Sequence, residues 1–302
     1  MLEPVLKPEA AEAVLRLARG ARPDDRRKAV DELCGHWTTA LVARSEGLPP
    51  AAMREAIGHF ARGEPTRQPR LSLDQIRAGA DALERYVKTL SADQSWFRAA
   101  ADAGLRHVPW RDELDAAIEV YPIALGGSYT DGEALMAGPT ARVVLDLYHL
   151  KDPGDLRVVT AHELNHAAVY LYRWRHPESA PVLSDPVGIL LDLLYLEGFA
   201  RFSTLGRRYR EDTEKCFSAV QEVIDRARAG VDTTAARDDL FTGGDGQGHL
   251  GGTAGAFIFE TVIGGKPSAD AQQALREGPV AVLRLYDSMA ARRGLPRLDW
   301  QT

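Results

Sequence analysis

The chain has 302 residues, 45% of them hydrophobic and 26% charged, which excludes a mainly disordered protein because enough apolar surface is present to offset ordering entropy. A formal net charge of −6 argues against nucleic acid as a partner, and no apolar run approaches the ~18–20 residues of a membrane span. Two cysteines, Cys34 and Cys216, are too few for a disulfide framework or a cysteine-based zinc site, and the opening MLEPVLKPEAAEAV lacks the basic stretch and apolar core of a leader peptide, so a cytoplasmic location is expected.

Apolar residues at spacings of three and four predict helices over 6–18, 24–43, 50–61, 73–90 and 92–104. The breaks between them carry proline and glycine, as in GEPTRQPR at 63–70 and GLRHVPW at 104–110. The character changes near Pro109. Ile118 to Leu125 is β-branched, partly alternating, and runs into Gly126-Gly127-Ser128. Ala141 to Tyr148 alternates more clearly. Together they predict a small sheet of about three or four strands. Asp152-Pro153 and Asp185-Pro186 each place a capping residue before a proline at the first helical position, predicting helices that run to about Trp174 and Ser203. Further helices are expected around 216–229, 253–263 and 270–290, with a glycine-rich loop at 243–252. This order predicts an α+β fold, mostly helical, with a helical N-terminal region over 1–110 and a second domain over 111–302.

Within the helix after Asp152 lies His162-Glu163-Leu164-Asn165-His166, an HExxH pattern. Histidines at i and i+4 share one helix face, so both imidazoles can bind one zinc ion at about 2.0–2.1 Å. Glu163 projects from the same turn, where a general base can take a proton from a metal-activated water. Flanking Val159 and Val169 suit a half-buried helix. A catalytic zinc takes a third protein ligand and keeps one position open. Glu197 is the candidate. It stands in Leu194-Tyr-Leu-Glu-Gly-Phe-Ala200, where an acid is expensive to bury unless it is paired or metal-bound. The bland alternative is an ion pair with Arg201 at i+4. Gly198 beside it lets another backbone approach closely.

HELNH, followed 31 residues later by Glu197 in an EGFA context, resembles the gluzincin metallopeptidases, and within them the peptidase-MA-like zinc-dependent peptidases. The resemblance covers roughly residues 115–265 and includes the strand-like YPIALGGSY and ARVVLDLYHL before the motif. It implies a zincin-like metallohydrolase domain. His162, His166 and Glu197 become the ligands of one zinc, and Glu163 the general base. Related families place a Tyr, three residues before a Gly, where its phenol stabilises the oxyanion. Here His249 stands in His249-Leu-Gly-Gly252 and takes that place, with Tyr195 and Tyr286 as lesser candidates. Substrates of this architecture bind extended along a sheet edge, and Ala124 to Tyr129 is the expected edge. Asp146, Asp185 and Asp192 are candidates to orient the histidines.

The leading expectation is therefore a zinc peptidase acting on a peptide, with no nucleic acid and no membrane as partner. A zinc hydrolase or lyase acting on a small molecule is the first alternative, since motif and scaffold do not set substrate. A non-catalytic binding protein with a vestigial zinc site is the second, against which the intact Glu163 argues. A carboxylate-bridged di-iron protein would need a second ExxH, and only Glu163 to His166 supplies one. Two His and a carboxylate suit zinc best, although iron accepts the same set. Gly246, Gly248 and Gly251 satisfy GxGxxG but lack a preceding strand and a βαβ unit, so no dinucleotide site is expected.

Overall fold

A computed structural model describes residues 2–20, 22–127, 131–180, 185–205, 213–242, 250–265 and 267–300. The described residues form an α+β fold, mostly helical, with one four-stranded mixed sheet. Strand β1 (Leu2–Leu6) leads into α1 (Glu9–Ala18), α2 (Pro23–Gly35), α3 (Trp37–Ser45), α4 (Pro50–Arg62), α5 (Leu73–Ala78), α6 (Ala80–Ala92) and α7 (Ser95–Gly104). Strands β2 (Ala116–Ile123), β3 (Gly132–Ala137) and β4 (Thr140–Asp146) follow. Then come α8 (Pro153–Arg175), a 3-10 turn at Pro177–Ser179, α9 (Pro186–Leu205), α10 (Thr213–Arg228), α11 (Thr234–Thr242), α12 (Leu250–Ile263), α13 (Ala269–Glu277) and α14 (Pro279–Arg293). No helix of the described residues is long and apolar enough to cross a membrane.

The strand order is β1-β2-β4-β3, with β1–β2 and β2–β4 parallel and β3–β4 antiparallel. β2 and β4 are interior strands. Their run of buried Ile118, Val120, Val143, Val144 and Leu145 is the pattern of a sheet covered on both faces. One face, carrying Ile123 and Val144, shares a core with Val14, Leu17, Ile57 and Phe60 of the N-terminal helices. On the opposite face, Gly132 of β3 lies against Val159 of α8.

Several expected boundaries shift. Residues 2–6 form β1 rather than the lead into a helix, and β3 is one of the strands that the expected sheet needed but to which no residues were assigned. The expected helix over 24–43 breaks at His36, whose Nδ1 accepts the Thr38 N–H and caps α3. The helix over 73–90 breaks at Gly79, and that over 270–290 at Gly278, where φ is +97° and Pro279 starts α14. The first expected strand ends at Ile123. Beyond it Gly126 turns with φ +61°, and the buried Asp146 carboxylate accepts the N–H groups of Gly126 and Tyr148.

The chain forms two compact units that do not follow the expected boundary near residue 110. One comprises residues 2–102 with 116–167, so the N-terminal helices belong with the sheet. The other comprises 103–115 with the chain from Ala168 onward. In this second unit α9 lies along α12, with Phe259 stacked on Phe199 at 5.0 Å and edge-on to Tyr195 at 5.4 Å. Buried Trp110 stacks on Tyr172 at 4.3 Å and donates from Nε1 to the Ala168 carbonyl at 3.0 Å.

Candidate metal centre

α8 begins as its sequence demands. The Asp152 carboxylate accepts the N–H groups of Gly154 and Asp155 at 2.7 and 3.2 Å, satisfying donors that the first turn leaves open. Ten residues in, His162 and His166 stand one turn apart. Their Nε2 atoms are 2.9 Å from each other, and the rings are nearly perpendicular at 83°. Glu197 of α9 completes the group. One ligand atom from each of His162, His166 and Glu197 lies within 4.8 Å of the others, and the group could hold a metal ion. His166 is buried, while His162 and Glu197 are half-buried. The donor set fits a tetrahedral ion with bonds of about 2.0–2.1 Å, which sets ligand atoms roughly 3.4 Å apart and so lies within small side-chain adjustments of this arrangement.

Glu163 is buried at 8% exposure beside this group. A Cβ added to Gly132 would lie 2.8 Å from Val159 Cγ1 and 3.0 Å from Glu163 Cγ. Glycine is thus what lets β3 press against the turn that carries Glu163. Sequence reasoning passed over Gly132. Its only signal is a glycine opening the stretch GEALMA.

The edge strand is also relocated. β3 is the outermost strand next to Glu163, whereas the expected edge at Ala124 to Tyr129 follows the interior strand β2. Residues 124–127 are not in a strand, and residues 128–130 lie outside the described residues. The glycines there face the chain itself: a Cβ at Gly126 would meet Ser72 Cβ at 2.6 Å, and one at Gly127 would meet Glu46 Oε1 at 2.5 Å.

The three aspartates proposed to orient the histidines have other partners. Asp192 receives two hydrogen bonds from the Arg173 guanidinium. Asp185 accepts the N–H groups of Val187 and Gly188, capping α9. Asp146 holds the turn at Gly126, and burial raises its carboxyl above the usual range against the two N–H bonds that lower it.

Neither tyrosine is available as an oxyanion donor. The Tyr195 hydroxyl donates to the Leu275 carbonyl at 2.8 Å, and that of Tyr286 to the Pro296 carbonyl at 2.5 Å. Burial raises both phenols above their ordinary range. His249 lies outside the described residues. Since Tyr195 serves a buried carbonyl, Tyr195→Phe should cost about 1–3 kcal/mol of stability by leaving that acceptor unsatisfied. Bound metal should be unchanged. Urea unfolding and metal content check this, and a loss of activity at undiminished stability would return Tyr195 to the site.

The glycine that follows Glu197 packs against α12. A Cβ on Gly198 would come within 2.5 Å of the Gly255 backbone of α12, so the expected close approach of another backbone is present.

The chain matches no protein-family model, no curated protein and no solved structure.

Proposed function

We propose that the chain is a zinc-dependent hydrolase, a peptidase of the gluzincin kind, with His162, His166 and Glu197 as the metal ligands and Glu163 as general base. The observation that carries this reading is the convergence of two imidazoles and a carboxylate with Glu163 in the same helical turn. A zinc ion held there would supply a Lewis acid and the means to activate a water molecule. The Glu163 carboxylate takes the proton of the attacking water and passes it to the departing amine nitrogen. β3 offers main-chain N–H and C=O groups along the outer edge of the sheet, where an extended peptide adds as another strand. Gly132 keeps that edge close to Glu163, so a carbonyl of the added strand comes within reach of the base. The free thiols Cys34 and Cys216 suit a reducing compartment, and the cytoplasm is the proposed location.

The test is the metal content of protein purified without chelator, beside His162→Ala and Glu197→Ala. One zinc per chain is expected, lost from both variants, with peptide-library cleavage following the metal. Wild-type protein that stays metal-free after zinc is offered near neutral pH would overturn the reading.

A further inference from the structure

Glu197 is the one proposed ligand that α8 does not supply, so its reach toward the histidines depends on how α9 is seated. α9 is seated on α12 through contacts only glycine permits. A Cβ on Gly255 would stand 2.4 Å from the Leu194 carbonyl oxygen and 2.7 Å from Gly198 Cα. A Cβ on Gly198 would stand 2.5 Å from Gly255 Cα. All of these are backbone atoms, which no side-chain rotation can move aside. The seam continues in both directions. Arg201 donates to Thr253 Oγ1 at 3.2 Å on one side, and Phe199 stacks on Phe259 on the other. Glu197 adjoins the tightest point.

We propose that Gly255 is a positioning residue for the metal centre: the Gly198–Gly255 crossing sets how far Glu197 extends toward His162 and His166, and so sets metal affinity from a residue that touches no ligand. The inference rests on the zinc reading above. Ordinary contact begins at 3.4 Å, so an alanine at 255 must push α9 away by about 1 Å, a displacement that matters at a site built to close tolerances. Loss of a group that orients a ligand typically lowers metal affinity about 10–100-fold.

The experiment compares zinc affinity, by chelator competition, and the visible spectrum of the cobalt(II)-loaded protein. The proteins are wild type, Gly255→Ala and Leu33→Ala, the last emptying part of the buried core that α2 shares with the other N-terminal helices, in the unit that does not contain the seam. Expected are about 10–100-fold weaker zinc binding in Gly255→Ala and a weaker cobalt absorption, as water replaces the carboxylate and coordination number rises. Leu33→Ala should be less stable yet bind zinc as tightly as wild type. Should Gly255→Ala fail to fold, Phe259→Leu loosens the same seam without inserting an atom and is expected to lower zinc affinity several-fold. Wild-type affinity and an unchanged cobalt spectrum in the folded seam variant would overturn the inference and leave the metal centre standing. So would an equal loss of affinity in Leu33→Ala. A wild type that binds no zinc would overturn the parent reading instead.

Discussion

Glu163→Gln should keep its zinc and lose hydrolytic turnover by about 10²–10⁴-fold. The amide has the shape of the carboxylate but cannot accept a proton from the attacking water. The carboxylate stem is packed under Gly132, and glutamine keeps that stem. The proposed ligands His162, His166 and Glu197 are untouched. Metal content and the cleavage rate of the library peptide that wild type cuts fastest are measured side by side. His166→Ala provides the contrast, losing metal and turnover together. Full turnover in Glu163→Gln would show that another group moves the proton and would sink the assignment.

The second large effect concerns stability. Arg173 and Asp192 form a two-bond ion pair, one N–H···O at 3.1 Å, with side chains only 12% and 11% exposed. The guanidinium also lies over the Tyr195 ring, 5.4 Å from its centre. Such a pair costs both charges their hydration, so its intact form adds little, whereas half of it is costly. Asp192→Leu leaves the guanidinium buried without its counter-charge and should lower stability by about 3–5 kcal/mol. Adding Arg173→Met should recover most of that loss. Urea unfolding of the two single variants and the double variant measures it. A single-variant cost under about 1 kcal/mol would mean that the Arg173 head reaches water once its partner is gone. The same cycle accounts for Asp192, which sequence alone offered as a partner for His162 and His166.

The candidate residues were legible because their signals are local. Two histidines at i and i+4 share a face in any α-helix, wherever that helix packs. Asp152-Pro153 and Asp185-Pro186 mark helix starts by satisfying, or not needing, the first N–H groups, and α8 and α9 begin where those pairs stand. Glu197 was conspicuous because an acid inside Leu-Tyr-Leu-Glu-Gly-Phe-Ala needs a compensating partner. Gly198 implied a close neighbour but could not name it.

The features that failed to show were those set by distant partners. β1 is a strand because Leu2–Leu6 pairs in parallel with Ala116–Val120, more than a hundred residues away. β3 alternates weakly and became a strand through its register with β4. The expected edge at Ala124–Tyr129 failed for the same reason: which strand lies outermost is decided by pairing order and not by composition.

By itself the sequence determined the α+β class, the helix carrying His162, Glu163 and His166, and the need for a partner at Glu197, since each follows from periodicity, capping or the cost of burying charge. Only the tertiary structure decided that Gly132 brings the edge strand to Glu163, that Gly255 packs against Gly198, and that Asp192 belongs to Arg173. These are contacts between residues far apart in the chain. Their geometry depends on packing that leaves no room for a Cβ, and no short stretch of sequence encodes it.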